Sequence, residues 1–349
     1  MFNPLSKMDT HKYTISTQGF IADDPVSLYD FFHDWEGKYS PNKSDNYALE
    51  FARVDIGKSF GDYYIGYFYQ RDTFIRTNRG FVDGYYNVKN SIKPLHDTDY
   101  DLELEIDGVI RHGLLMSKSF KIVDDDSRAF SIGVGGFISY SVDVQDGVLK
   151  GKGTIYPDGK YDASGVTTYY YMENLLYDLD VEDTYGLGYG FDISMLFVDK
   201  DNDYSVTIAI NDLLSYTYWK NLPYSLVYIE TQNQEFNGDY VSYNPTIHGW
   251  ELYKDFKQKI EPKYNVEFSK LFFKTYTLDI GVDYIHTLSL PYIKASKIFD
   301  SSTISCQFDY RYHTFGLEYI NQYIDIKLFT NGFKNASAVG FSFDLSYDF

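Results

Sequence analysis

Apolar and polar residues alternate at period two along most of this chain, a spacing that sends successive side chains to opposite faces of a β-strand. The cleanest stretch puts Leu187, Tyr189, Phe191, Ile193, Met195 and Phe197 on one face and Gly188, Gly190, Asp192 and Ser194 on the other. Residues 204–211, 276–284 and 304–313 repeat the pattern, with Tyr204, Val206 and Ile208, then Leu278, Ile280 and Val282, then Ile304, Cys306 and Phe308 in the apolar rows. Weaker copies run through Ile132, Val134, Ile138, Tyr140 and Val142. A sharper one sets Leu102, Leu104 and Ile106 against Asp101, Glu103, Glu105 and Asp107.

Two architectures give such rows. In a soluble sandwich the polar row faces water and the apolar row a shared core, whereas in a membrane barrel the polar row faces an enclosed lumen and the apolar row faces lipid. Strands of about nine to eleven residues, the length of a tilted membrane crossing, favour lipid. So do Tyr at the ends of apolar rows and the number of strands. Turn clusters at Phe60-Gly61-Asp62, at 199–203 and at Asn331-Gly332 predict hairpins, and longer polar stretches near 88–99, 157–165, 178–185 and 231–248 predict loops. At roughly twenty residues per strand and connection, about fifteen strands fit, and barrel closure favours an even number. The expected fold is therefore all-β, a transmembrane antiparallel β-barrel of about 14, alternatively 16, strands.

Residues 1–45 are more polar and irregular, so the barrel is expected over 46–349 with a short N-terminal extension before it. Within that extension Asp24-Pro25 followed by Val26, Leu28, Phe32 and Trp35 predicts a short capped helix. It is expected either on the surface or as a plug or periplasmic helix.

Counting back by twos from Phe349 gives Tyr347, Leu345, Phe343, Phe341 and Val339, with Asp348, Ser346, Asp344, Ser342 and Gly340 between them. This resembles the C-terminal targeting strand of Gram-negative outer-membrane barrels. Such a long aromatic edge would invite aggregation unless closed into a barrel. The stretch 186–193 with the hairpin partner 204–214 is also similar to the fatty-acid-transporter-like barrels. That resemblance implies fourteen strands and carries over no ligand-binding residue; the group includes transporters and secretion-system scaffolds.

Composition agrees and narrows the function. Aromatic residues make up 19% of the 349, with 37 Tyr and 27 Phe but 3 Trp, as expected of strands with amphipathic rings at a membrane boundary. A net charge of −19 argues against nucleic acid as a partner. The single Cys306 rules out an intrachain disulfide framework. Mean hydropathy is −0.35 and no apolar run reaches the length of a spanning helix. Met1-Phe2-Asn3-Pro4 does not open a signal peptide, so for an outer-membrane protein the leader is expected to have been removed.

Candidate chemistry is sparse. Gly57-Lys58-Ser59-Phe60-Gly61 fits a nucleophile-elbow pattern but leads into a second strand, which favours a hairpin. His112 and Ser117 lack a recognisable third catalytic member, and the seven His residues show no zinc spacing. Asp199, Asp201 and Asp203 open like a calcium loop, but Tyr204 stands where Gly is needed. That run, or Asp124-Asp125-Asp126, is expected as a solvated acidic loop, with loose calcium binding at the cell surface as the alternative. No catalytic residue, metal site or cofactor is expected.

The polar rows carry the functional expectation. Glu103, Glu105, Asp192, Glu267, Asp279, Asp283, Asp309, Arg311, Asp325 and Lys327 are the candidate lumen-lining residues, with Arg53, Asp344 and Asp348 beside them. Acids outnumber bases there, which favours cations in an open pore; the alternative is a closed interior in which Arg and Lys pair with the acids to fill it. The leading expectation is a porin-like outer-membrane channel for small hydrophilic solutes or cations. The alternatives are a barrel scaffold or partner subunit of a surface or secretion complex, and a hydrophobic-ligand transporter. The expected partners are outer-membrane lipid and a second copy or another protein.

Overall fold

The structure is a computed structural model that describes residues 3–7, 12–33, 35, 37–173, 184–235 and 246–347. Asp348 and Phe349, and most of the expected 178–185 and 231–248 loops, lie outside the described residues. Sixteen strand segments run antiparallel: β1 (Tyr13–Asp23), β2 (Asp45–Phe60), β3 (Tyr63–Asn78), β4 (Thr98–Asp124), β5 (Arg128–Ile155), β6 (Lys160–Tyr171), β7 (Gly186–Asp199), β8 (Tyr204–Glu235), β9 (Thr246–Ile260), β10 (Lys263–Phe272), β11 (Tyr276–Ile285), β12 (Leu288–Ile298), β13 (Ser302–Asp309), β14 (Phe315–Asn321), β15 (Ile324–Thr330) and β16 (Ala338–Tyr347). β1 pairs with both β16 and β2, so the sheet closes on itself.

Among the described residues, sixteen segments fill fourteen positions around the wall. β6 pairs with the second half of β5 and β7 with the first half, and β8 receives both on its facing edge, so β6 and β7 lie end to end in one position. β9 and β10 likewise share the other edge of β8, separated at Glu261-Pro262. Proline has no N–H to give to a ladder, which is why the strand breaks there.

The first wall strand is β1, so the boundary expected at residue 46 moves back to Tyr13. The helix expected from Asp24-Pro25 forms as α1 (Leu28–Phe32), capped by Ser27. α1 follows the end of β1 far from the termini, so it is not a periplasmic helix. The segment inside the barrel is instead the 3-10 turn Pro4–Lys7, which contacts β4, β5 and β7. There Leu5 N–H donates to Ser194 Oγ at 3.3 Å, and Gly133 leaves the room, since a methyl on it would come within 2.9 Å of Pro4.

The two ends of the barrel differ. The termini share an end with the short connections 61–62, 125–127, 200–203, 273–275, 299–301 and 322–323, which by the usual asymmetry is the periplasmic end. The opposite end carries the longer 24–44 connection and α2 (Arg79–Lys89). The expected Asn331-Gly332 hairpin is a longer loop, 331–337, and the polar stretch 157–165 mostly begins β6.

Wall height is uneven. β10 to β16 have 7 to 11 residues, enough to cross once, whereas β4, β5 and β8 have 27, 28 and 32. The tall strands rise beyond the membrane on one side. Up there the outward apolar row of β4 does not meet lipid, because α2 covers it: a methyl on Gly84 would lie 3.6 Å from Tyr100 and 3.7 Å from Leu102.

Lower down, Ile65, Leu114, Met116, Ile138, Ile280 and Leu317 are each exposed by half or more on the outer surface. Such a belt would be an aggregation surface in water and is the lipid-facing band of a closed barrel. The chain is an outer-membrane β-barrel.

Candidate functional site

The interior is crossed by polar side chains from facing walls. β8 breaks alternation at Asn211-Asp212-Leu213-Leu214, where Asp212 and Leu214 adopt φ of 59° and 50°. This bulge buries Asn211 and Asp212 consecutively inside the barrel and leaves Leu214 exposed. Asp212 N–H, freed from the ladder, donates to Asp192 Oδ1 at 3.1 Å, and Asn211 Nδ2 donates to the same oxygen at 3.1 Å.

Asp212 then anchors two bases. Lys263, the first residue after the Pro262 break, donates to Asp212 Oδ2 at 2.8 Å and lies 3.1 Å from Asp72 Oδ1 of β3 across the lumen. Arg111 of β4 pairs with Asp212 and donates to Ser215 Oγ at 3.1 Å. On β2, Arg53 Nε sits 2.9 Å from Asp55 Oδ2, and its Nη1 donates to Gln70 Oε1 at 3.0 Å. Gln70 in turn donates to Asp72 at 2.6 Å. Three buried bases thus meet four carboxylates, a nearly balanced set in keeping with the cost of burying unpaired charge.

A second crossing lies above the first. Gln258 of β9 donates to Asp107 Oδ1 at 3.2 Å and Gly108 O at 3.1 Å on β4, and it accepts from Trp219 Nε1 at 3.3 Å. Val109, Val144, Leu222 and Ile260 pack around Trp219.

A third crossing is apolar. The β11–β12 hairpin turns over the lumen so that His286 stacks on Phe74 of the opposite wall, 4.1 Å between centroids and 2° from parallel. Ile285, Leu288 and Leu290 join Ala22, Leu49, Phe74 and Tyr312 in one cluster with Phe20 and Tyr47.

Burial, and then the nearby Lys263 charge, push the His286 pKa from its ordinary 6.5 down to about 4, against the weaker pull of Asp72, Glu261 and Glu105. The docked ring is therefore neutral. The unfolded chain takes up this proton first as pH falls, so the contribution is whole above about 6.5 and is lost toward pH 4. Hydrogen exchange of residues 285–288 is expected to speed up across that window. In His286→Phe, which keeps the stack, the pH dependence should vanish.

Beneath this roof lies a cavity of about 300 Å³. Phe20, Phe51, Ile285, Leu290 and Phe329 give it an apolar side, and Lys263, Asp283, Tyr292, Asp309, Glu318, Lys327 and Asp344 a polar one. Tyr292 Oη donates to Glu267 at 2.8 Å and accepts from Asn265 Nδ2 at 3.3 Å. Lys327 donates to Gln307 at 2.7 Å. Asn3 of the N-terminal segment also reaches the cavity.

The predicted residues divide by place. Asp283, Asp309 and Lys327 line the cavity, while Asp192, buried, belongs to the Asp212 network. Glu267 and Asp279 face Lys294 at 3.6 and 3.2 Å, and Asp325 stands on the same row as Lys327. Glu105 pairs with Arg76 at 2.6 Å in the tall wall, and Glu103 stands two residues further up. Arg311 is outside this set: it follows β13 at the rim and pairs with Asp24 at 2.5 Å. Burial raises the Asp24 pKa, with Arg311 opposing.

Other candidates separate. Gly57-Lys58-Ser59-Phe60-Gly61 ends β2 and turns at Gly61, φ 60°. His112 accompanies Tyr67 on the outer face at 2.7 Å, whereas Ser117 is buried on the inner face of the same strand. The acidic runs 124–126 and 199–203 are periplasmic turns, not cell-surface loops; Lys200 pairs with Asp124 at 3.0 Å, and Asp199 accepts from Asn202 N–H at 2.9 Å.

Asp55, Gln70, Asp72, Arg111, Asp212 and Lys263 escape the sequence reading. The available signals were two polar residues followed by two apolar ones at 211–214, and a lysine directly after a proline at 262.

No family model and no curated protein matches this sequence. Among solved structures, the chain is similar to the TodX deltaS2S3 mutant monoaromatic hydrocarbon channel at 10% identity, covering 98% of this chain and 91% of that one, TM-score 0.49. It is also similar to a Pseudomonas aeruginosa FadL homologue at 10% identity, 97% and 90% coverage and TM-score 0.37. The Ralstonia pickettii toluene transporter TbuX follows at 8% identity, 97% and 89% coverage and TM-score 0.30. The assignment to an outer-membrane barrel rests on the closed ladder and the apolar belt.

Proposed function

We propose that this barrel carries a small amphipathic or hydrophobic molecule across the outer membrane by way of its internal cavity, in place of the porin-type passage of hydrophilic solutes expected first. The observation that carries this reading is the cavity itself, with aromatic and aliphatic side chains on one side and hydrogen-bonding groups on the other. Its size falls at the lower end of small-molecule sites, and such mixed linings hold apolar ligands while a few polar groups fix their orientation. A passive hydrophilic pore needs a continuous water path, which crossings such as Lys263 to Asp72 and His286 on Phe74 oppose.

In planar bilayers the wild-type barrel is expected to stay silent, and in detergent it should bind a polarity-sensitive aromatic dye. Leu290→Asp, which places a charge on the apolar side, should weaken that binding by at least tenfold, on the order of 1.4 kcal/mol. Steady ion-selective conductance from the wild-type barrel would return the reading to an open channel.

A further inference from the structure

Three lysines at the periplasmic end share one arrangement. Lys58, Lys118 and Lys297 each stand near the end of a strand, each has a phenylalanine two residues on (Phe60, Phe120, Phe299), and each is directly paired across the ladder with a tyrosine (Tyr13, Tyr63, Tyr276). Residues two apart, and residues directly opposite, share a face of the sheet. Each lysine therefore rises between two aromatic rings on the outside of the barrel.

The distances repeat as well. Lys58 Nζ lies 4.2 Å from the Tyr13 ring and 5.2 Å from the Phe60 ring, and donates to Tyr13 Oη at 3.0 Å. Lys118 Nζ lies 4.7 Å from the Tyr63 ring and 5.0 Å from the Phe120 ring, and donates to Tyr63 Oη at 2.8 Å. Lys297 Nζ sits 5.7 and 5.1 Å from the Tyr276 and Phe299 rings. These are cation–π separations, and they hold the ammonium groups at a fixed height. The six rings are exposed to a similar degree, 39% to 46%.

The chain has 50 acidic and 31 basic residues, yet among the described residues none of these three lysines forms an ion pair. An ammonium offers three donors, and a tyrosine hydroxyl occupies one of them at Lys58 and Lys118. The remaining donors lie just beyond the apolar belt, where lysine stems follow the hydrophobic surface and their heads reach the headgroup layer. At the periplasmic end that layer belongs to phospholipids. A lysine is a point-charge binder of phosphate, and flanking rings suit the first carbons of the acyl chains.

We infer that the three Lys–Tyr–Phe notches are binding sites for the phosphodiester headgroups of inner-leaflet phospholipids, one lipid to each notch. They fix the depth of a barrel whose opposite end is too uneven in height to set it.

Native mass spectrometry of the full chain, extracted in mild detergent and titrated with phosphatidylglycerol, tests this. The wild type should retain up to three tightly held lipids, and each of Lys58→Gln, Lys118→Gln and Lys297→Gln should remove one. Lys→Arg at the same positions should keep them, and unchanged heat-modifiable gel migration shows that the variants are folded. Diacylglycerol, which lacks the phosphate, should not give these adducts. The inference is overturned if the triple glutamine variant keeps the same lipids, if diacylglycerol binds equally, or if inorganic phosphate alone occupies the sites and displaces the lipid.

Discussion

Lys263→Met is expected to destabilise the folded barrel by about 3–5 kcal/mol, the usual cost of removing one partner from a buried ion cluster. Lys263 is buried and holds Asp212 of β8 and Asp72 of β3 together across the lumen. Without it, Asp72 keeps its hydrogen bond from Gln70 but faces the nearest remaining base, Arg111, at 4.0 Å. Asp72→Asn in the Lys263→Met background should therefore recover part of the loss. The check is a urea unfolding midpoint for the three proteins in lipid vesicles, with bilayer conductance recorded alongside. Conductance should rise from silence to flickering openings in Lys263→Met, because a contact between facing walls has gone. A Lys263→Met barrel as stable and as silent as the wild type would show that the crossing is incidental.

Much of this architecture was visible in the chain, and what was hidden has physical causes. Rows such as 187–197 and 276–284 contrast sharply because one face meets lipid and the other a polar interior. β1 escaped notice because its outward row contains Thr17 and Gly19 while its inward row ends in Phe20 and Ala22, so the contrast between faces disappears. Those inward residues are apolar because they pack under the hairpin roof, a long-range fact that local alternation does not carry. A count by length gives about fifteen, and evenness leaves fourteen or sixteen; sixteen segments fill fourteen positions because β6 with β7 and β9 with β10 each share one. Which acids of the polar rows meet which bases depended on the bulge at 211–214 and on facing walls being brought within contact. Asp212 stands at a position that strict alternation would turn outward, so it was invisible to a count by twos.

Gly281→Val should weaken dye binding more than tenfold while leaving a folded barrel. Gly281 is directly paired with Tyr292, whose ring lies over the space a side chain would fill: a methyl at Gly281 would come within 2.5 Å of Tyr292 Cζ and Oη. A ring resting on a strand glycine is a common way to fill the missing side chain and hold register. The added bulk must push the ring away, at an overpacking cost of about 1–3 kcal/mol. Tyr292 would lose its hydrogen bond to Glu267 and move within the cavity it lines. Dye affinity should fall by more than tenfold, with heat-modifiable migration retained and the unfolding midpoint only moderately lowered. Tyr292→Ala in the same chain removes the displaced ring, so Gly281→Val with Tyr292→Ala should bind dye again. Binding that survives Gly281→Val would place the dye elsewhere, and a double variant as inactive as the single one would trace the defect to the β11–β12 pairing and not to the ring.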